Sequence, residues 1–253
     1  MRLALAQIGS GTDTTGNLAL IRSAFDDAAG RGADLILFPE YAMYEKKVVD
    51  GSFSTAAEPV DGPFASAVAA LAREHGIAAI AGMVEAHPNG ERPFNTLVGF
   101  DADGSPVGRY RKINLYDSYG FRESQWISRP DPAEHVVMRL AGVSVGVMTC
   151  SDLRQPSMAA ALASAGADML AICASWVPGP QKVNHWRVLA AARAIENVIV
   201  TAAACQAPPV SIGTSLVIDP MGTVLGELGP APGVLCVDVD PDATARERAR
   251  AAT

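Results

Sequence analysis

The order of short apolar runs along the chain constrains the fold more than any other feature of the sequence. Early in the chain, apolar runs at residues 3–8, 34–38 and 77–85 alternate with helical patterns at residues 17–29 and 63–75. Alternation of this kind is typical of βα units with parallel strands. We therefore expect a parallel sheet in the first part of the chain.

Hairpins join this pattern from about residue 94 onwards. Asp103-Gly104 and Ala141-Gly142 each separate two apolar runs, as the turn of a β-hairpin does. Further helices and strands follow to the end of the chain. The sequence therefore predicts an α/β protein, a large sheet system with helices on its outer faces, in a single domain across residues 1–253.

The charge balance excludes several classes of partner. The formal net charge is −7 and no long Lys/Arg run is present, which argues against nucleic-acid and anionic-membrane surfaces. The longest apolar runs are broken by Asp or Pro before they reach the length of a membrane span. The chain enters a strand at once, without a cationic leader, so we expect a cytoplasmic protein.

Four cysteines lie far apart, and only one of them has a polar setting. No C-x-x-C pair or other metal-ligand spacing is present, so we predict no metal and no cofactor. Cys173, Cys205 and Cys236 fall inside apolar runs and are interpreted as buried thiols. Cys150 instead follows an apolar strand and precedes polar residues, as a nucleophile at a sheet edge does.

Two other predicted strands end in a residue that could activate this thiol. Glu40 follows Pro39, which is a poor central-strand residue, and Lys112 follows a strand at residues 107–111. A free thiol has a pKa of about 8.5, so it needs a base or a positive field to react. Glu40 could be the base, and Lys112 with the backbone N–H of Ser151 could stabilise an oxyanion.

The residues alone leave alternatives open. Each strand-end residue could be structural, and histidine is the usual partner of a catalytic thiol. The four histidines, however, end a helix (His75), border turns (His87 and His135) or lie in an amphipathic helix (His185). The loops near residues 44–60, 114–134 and 175–183 are long enough to be functional.

Three segments, in this order and spacing, resemble the nitrilase superfamily of carbon–nitrogen hydrolases. They are residues 37–40 (Leu-Phe-Pro-Glu), residues 110–117 (Tyr-Arg-Lys-Ile-Asn-Leu-Tyr-Asp) and residues 147–154 (Val-Met-Thr-Cys-Ser-Asp-Leu-Arg). Weaker similarity continues to about residue 222, so the resemblance covers essentially the whole chain. Within the superfamily, the chain resembles the bacterial Nit-type amidases, which are similar to deaminated-glutathione amidase and omega-amidase.

This resemblance implies a four-layer α-β-β-α sandwich and a set of catalytic roles. Glu40 would be the general base, Lys112 the oxyanion stabiliser and Cys150 the nucleophile. Glu123 matches a second glutamate of the family and would orient Lys112 or assist the water and leaving-group steps. The implied reaction is hydrolysis of a small linear amide to a carboxylate and ammonia through a cysteine thioester, without a cofactor. A homodimer or higher homo-oligomer is also implied.

The sequence departs from the family pattern just after the nucleophile. Ser151, Gln155 and Ser157 replace the usual Tyr, Phe and Glu, so the resemblance does not identify the substrate. Tyr41, Ser151 and Trp176 are candidate substrate-binding residues, although Trp176 could equally be core packing. Nitrile or N-carbamoyl hydrolysis by the same residues, and a non-catalytic binding protein with this fold, are the alternatives.

Overall fold

A computed structural model describes residues 1–251, which form strands and helices in the order the sequence suggests. The strands are β1 (Arg2–Gln7), β2 (Leu35–Leu37), β3 (Ala78–Glu85), β4 (Phe94–Phe100), β5 (Pro106–Arg111), β6 (Val137–Leu140), β7 (Val143–Thr149), β8 (Met169–Ala174), β9 (Val200–Cys205), β10 (Leu216–Ile218), β11 (Val224–Glu227) and β12 (Gly233–Asp238). The helices are α1 (Thr14–Gly30), α2 (Ser52–Ala56), α3 (Pro63–His75), α4 (Pro156–Ser164), α5 (Lys182–Asn197) and α6 (Ala243–Ala251).

The strands form two six-stranded sheets of the same design. The first has the order β12-β1-β2-β3-β4-β5 and the second β11-β10-β9-β8-β7-β6. In each sheet three neighbouring strands run parallel, β1 to β3 and β7 to β9, and the outer strands pair antiparallel. The parallel centre agrees with the alternating first part of the sequence. The hairpins β4–β5, β6–β7 and β10–β11 supply antiparallel pairs at the flanks, whereas β12 joins β1 from the other end of the chain.

The sheets pack against each other, and helices cover their outer faces. Alternate side chains of β1 show this: Leu3 and Leu5 belong to the core between the sheets, whereas Ala4 packs with Ile21 of α1 and Phe64 of α3. Helices α4 and α5 cover the second sheet in the same way. Burial on both faces explains why the central strands are almost continuously apolar. The architecture is the expected four-layer α-β-β-α sandwich.

Most helix and strand boundaries agree with those predicted from the sequence, and the differences have local causes. Helix α3 ends at His75 because Gly76 adopts a left-handed conformation with φ of 65°. The loop at residues 44–60 contains the short helix α2, which apolar periodicity does not reveal in so short a segment. The interpretation of Cys236 as a buried thiol was wrong: it is half-buried because β12 is an edge strand of the first sheet. No helix within residues 1–251 is long and apolar enough to cross a bilayer.

Candidate active site

Glu40 is held where the chain leaves β2 and crosses over β3. Tyr41 adopts a left-handed backbone conformation, with φ of 57°, which turns the chain sharply after Glu40. Gly82 of β3 lies directly beneath, and a Cβ atom there would stand 2.5 Å from both the Pro39 oxygen and the Tyr41 nitrogen. The close approach therefore requires glycine at position 82.

Lys112 is the first residue after β5, and the backbone hydrogen bond from its N–H to the Asn95 oxygen continues the ladder to β4. Its ammonium is buried and donates to Glu40 Oε1 and to Glu123 Oε2, each at 2.8 Å. The Asn95 amide joins the same two carboxylates, donating to Glu40 Oε1 at 2.6 Å and to Glu123 Oε1 at 2.9 Å. Tyr41 also donates its hydroxyl to Glu123 Oε1 at 2.8 Å. Both carboxylates and the ammonium are therefore held in place by more than one partner.

Cys150 lies at the sharp turn between β7 and a short 3-10 helix, Cys150–Arg154. Its φ of 47° is unusual for a residue with a side chain, and such strain is characteristic of functional positions. Asp152 holds this turn in place, because its carboxylate accepts hydrogen bonds from the Thr149 N–H at 2.9 Å and from the Tyr110 hydroxyl at 2.6 Å. It also accepts from the Asn114 side-chain amide at 2.8 Å, which connects the nucleophile turn to the loop after Lys112.

Ser175, just after β8, connects the thiol to the glutamate. Its N–H donates to Glu40 Oε2 at 2.7 Å, and its carbonyl lies 3.6 Å from the Cys150 sulfur, within reach of the thiol hydrogen. The thiol and Glu40 line the same cleft. Glu40, Lys112 and Cys150 are therefore brought together from the ends of β2, β5 and β7, with Ser175 of the β8 end between them.

The charges at the site keep the resting thiol protonated. Burial raises the pKa of Cys150 well above its ordinary value, the negative charge of Glu40 raises it further, and Lys112 lowers it by less. Burial would lower the pKa of Lys112, but the charges of Glu123 and Glu40 raise it well above its usual range. Burial opposes ionisation of Glu123, yet Lys112 lowers the pKa of that carboxyl. The positive field alone does not ionise Cys150, so a base must remove its proton.

A solvent-open cleft of about 470 Å³ leads to these groups. Each of the three long loops expected from the sequence contributes residues to the lining of this cleft. Glu45 comes from the first loop, Phe121 from the second and Val177 from the third. A narrower recess beside Cys150 is lined by Tyr116, Arg154, Ser175, Trp176, Val177 and Lys182. No histidine is among the described residues that line either space, which leaves the Cys–His alternative without support.

This geometry is accompanied by similarity over the whole chain. Residues 2–249 match the carbon–nitrogen hydrolase family. The chain belongs to the carbon–nitrogen hydrolase family. The hydrolase is 41% identical over 269 residues to a hydrolase of Mycobacterium tuberculosis, covering 100% of this chain and 94% of the relative. It is 37% identical over 161 residues to the deaminated glutathione amidase of Escherichia coli O157:H7, covering 63% of this chain and 60% of the relative.

Solved structures show the same relationship. An amidase from Nesterenkonia sp. superposes on the hydrolase with a TM-score of 0.84 at 30% identity, covering 100% of this chain and 95% of that one. A variant of that amidase has been solved with the acetamide moiety of fluoroacetamide covalently added to its active-site cysteine.

The candidate substrate-binding residues Tyr41, Ser151 and Trp176 differ in their position at the cleft and in the hydrogen bonds that their side chains form. Tyr41 lines it, but its hydroxyl is used by Glu123. The Ser151 hydroxyl donates to the Asn114 carbonyl, while its backbone N–H lies at the N-terminus of the 3-10 helix, where such groups lack helical partners. Trp176 borders the recess but is almost fully buried, and its indole N–H donates to the Lys182 carbonyl at 3.0 Å.

Sequence reasoning missed Asn95, Gly82 and Asp152 as supports of the site. Asn95 and Gly82 occupy ordinary-looking strand positions, and only a polar residue inside an apolar run could have drawn attention to Asn95. No group of three or more His, Cys, Asp or Glu residues within residues 1–251 is arranged to hold a metal ion.

Proposed function

We propose that the protein hydrolyses the terminal carboxamide of a small linear molecule to a carboxylate and ammonia. The observation that carries this proposal is the buried Lys112 ammonium held between Glu40 and Glu123 beside the Cys150 thiol. A thiol, a base and a fixed positive charge at the end of a cleft are the parts that acyl transfer requires. The covalent addition to the active-site cysteine of a variant of the Nesterenkonia amidase supports a cysteine nucleophile in this fold.

The mechanism follows from the positions of these groups. Glu40 accepts the thiol proton as the Cys150 sulfur attacks the amide carbon. Lys112 and the Ser151 N–H stabilise the resulting oxyanion, a contribution of about 10²–10³ in rate for one donor. Glu40 then gives the proton to the amide nitrogen, ammonia leaves, and a thioester remains. Glu40 next takes a proton from water, which attacks the thioester. Glu40 returns that proton to the departing Cys150 sulfur, and the acid product loses its own proton to solvent as it leaves as the carboxylate. Glu123 holds Lys112 in place throughout.

Two cations in the recess favour a substrate that carries an anionic group. The Arg154 guanidinium stacks over the Trp176 ring at 4.7 Å, and its buried Nη2 has no hydrogen-bond partner within residues 1–251. The Lys182 ammonium donates to the Tyr116 hydroxyl at 2.7 Å, and burial together with the charge of Arg154 lowers its pKa. Since burying two cations side by side is unfavourable, a carboxylate between them would be strongly attracted. Amides with a carboxylate at the other end are therefore the favoured substrates.

An ammonia-release assay on matched compounds tests the function. Succinamate and glutaramate carry a carboxylate, whereas butyramide and its nitrile, butyronitrile, do not. We expect turnover of the amides, highest with the carboxylate-bearing ones, and none by a Cys150→Ala variant. Absence of turnover on a broad amide panel would contradict the proposal, and a preference for nitriles would favour the nitrilase alternative.

We further propose that the protein forms a homodimer through one face of α5 and the β10–β11 hairpin. This face carries exposed apolar side chains on both elements: Val188, Ile195, Met221, Val224 and Leu225. The two elements adjoin, because a Cβ at Gly222 would lie 2.7 Å from the Ile195 side chain. An ion pair between Arg187 and Glu227 also joins them. Contiguous exposed apolar surface of this kind is characteristic of protein–protein interfaces.

A further inference from the structure

Glu45 is a buried acid at the cleft that the hydrolytic mechanism does not use. It lines the same cleft as Glu40 and Cys150, and only 3% of its surface is exposed. Its own backbone N–H donates to the Gly11 oxygen at 2.9 Å, so the main chain is fixed at this point. A buried carboxyl needs either a counter-charge or a proton, because an unpaired buried charge is strongly unfavourable.

The two oxygens of this carboxyl have different surroundings. Oε1 accepts the backbone N–H of Lys46 at 2.7 Å, whereas Oε2 is buried and has no hydrogen-bond partner within residues 1–251. The Ser175 hydroxyl is a neighbour of this carboxyl and shares a hydrogen bond of 2.9 Å with the Ser211 hydroxyl, in which either oxygen can be the donor. Burial raises the pKa of Glu45 well above its usual range; the neighbouring Ser175 hydroxyl and the Lys46 N–H lower it by less, and the negative charge of Glu40 raises it further. The proton of the neutral acid therefore belongs on Oε2, because Oε1 already accepts a hydrogen bond.

We propose that Glu45 is a specificity-determining residue whose neutral carboxyl donates a hydrogen bond from Oε2 to an uncharged oxygen on the acyl chain of the substrate. The substrate class is then an amide that bears a hydroxyl or carbonyl oxygen in addition to the scissile group. This inference rests on the proposed amidase function for the identity of the substrate.

The charges around the cleft argue for an uncharged oxygen acceptor. A carboxylate group has its own place beside Arg154 and Lys182 in the recess. An ammonium group would require Glu45 to lose its proton next to the negative charge of Glu40, which opposes ionisation. A hydroxyl or carbonyl oxygen needs no change of charge and would satisfy the one buried polar atom of Glu45 that lacks a partner within residues 1–251.

Matched substrates and variants separate these possibilities. The substrates are butyramide, the hydroxybutyramides that differ in hydroxyl position, and γ-aminobutyramide, which carries an ammonium group. The variants are Glu45→Gln, which keeps a donor at this atom, and Glu45→Leu, which removes it. Glu58→Gln is the matched control, because the Glu58 carboxylate caps the Phe64 N–H at 2.7 Å outside the cleft.

We expect the native protein to prefer one hydroxybutyramide over butyramide in kcat/KM by about 3- to 10-fold, the effect of one neutral hydrogen bond. Glu45→Gln and Glu58→Gln should retain this preference, and Glu45→Leu should lose it while still hydrolysing butyramide. The inference is overturned if Glu45→Leu retains the preference, or if no hydroxybutyramide is preferred. It is also overturned if γ-aminobutyramide is preferred and Glu45→Gln abolishes that preference, since Glu45 would then act as an anion.

Binding to the Cys150→Ala variant separates this inference from the proposed function. Calorimetry of the same amides with Cys150→Ala, alone and combined with each Glu45 variant, should give the same order of preference without any chemistry. If the native protein hydrolyses no amide, the proposed function fails, and the binding order alone decides the role of Glu45. Equal binding of butyramide and every hydroxybutyramide would overturn it.

Discussion

Replacing Asn95 by Asp tests whether the network around Lys112 controls catalysis. The Asn95 amide donates to Glu40 Oε1 at 2.6 Å and to Glu123 Oε1 at 2.9 Å, so it satisfies both carboxylates at once. Asp has the same shape but presents an oxygen where the amide presents N–H groups. At a separation near 3 Å and an effective dielectric of about 20, each carboxylate pair would repel by roughly 5 kcal/mol. The introduced carboxyl would therefore take up a proton at neutral pH.

Once protonated, the carboxyl introduced by Asn95→Asp would still satisfy only one of the two glutamates. The loss is then one hydrogen bond to a charged group, about 1.5–3 kcal/mol. If that loss is fully expressed in the transition state, kcat/KM falls by roughly 10- to 150-fold. The deficit should grow as pH rises through the raised pKa of the new acid, since its ionisation adds a third negative charge. Steady-state ammonia release between neutral and alkaline pH measures both effects.

Thr96→Val is the matched control for this experiment. Thr96 is the next residue of β4, is equally buried, and donates its hydroxyl to Glu85 Oε2 at 2.8 Å on the other face of the sheet. It should lower the free energy of unfolding by about 1.5–3 kcal/mol but change kcat/KM by less than about 2-fold. The reasoning is refuted if Asn95→Asp retains native kcat/KM, or if Thr96→Val lowers kcat/KM as much as Asn95→Asp does.

Four further predictions follow from the site and the surface. In Glu40→Gln, ammonia release should stop while the pH profile of Cys150 alkylation by iodoacetamide moves to lower pH, because the Glu40 charge raises the thiol pKa; a move to higher pH would contradict this. Gly82→Ala should lower kcat by about 10- to 100-fold by displacing the Glu40 segment, with a fall in Tm as the measure of the accompanying strain. Arg154→Met should raise KM for succinamate by roughly 10- to 100-fold but leave KM for butyramide unchanged. Met221→Glu should convert the dimer to a monomer in light scattering without loss of secondary structure, and a native monomer would refute the proposed interface.

The residues that the sequence predicted share one property. Glu40, Lys112 and Cys150 each come directly after the end of a strand, apolar β2 and β7 and the more polar β5, so their positions along the chain already indicate a sheet edge. The central apolar strands also carry most of the fold, because a strand buried on both faces is apolar at nearly every position. Local sequence was sufficient wherever the relevant signal lay within one strand and the residues just after it.

The residues that sequence reasoning missed depend on contacts between distant segments. Asn95 lies 55 residues from Glu40 and 28 from Glu123, and no spacing rule within β4 relates it to either. In the sequence, Gly82 is a glycine inside a strand with no evident role, because the backbone of Tyr41 that packs against it belongs to a distant segment. Glu45 reads as a surface acid of a loop, yet only 3% of it is exposed. Such roles follow from how the segments pack, which one sequence does not contain.

In the proposed mechanism the base is a carboxylate that also binds Lys112, and the protonated thiol gives a physical reason for this arrangement. Glu40 is the negative charge that raises the pKa of Cys150 most, and its Oε1 also holds the Lys112 ammonium. When Glu40 takes the thiol proton, its charge disappears, so the largest repulsion opposing the thiolate is removed by the transfer itself. Lys112 then keeps only Glu123 as a carboxylate partner, and its field acts on the sulfur and on the developing oxyanion. One proton transfer therefore activates the nucleophile and prepares the oxyanion site together, and an arrangement in which Lys112 paired with Glu123 alone would lack this coupling.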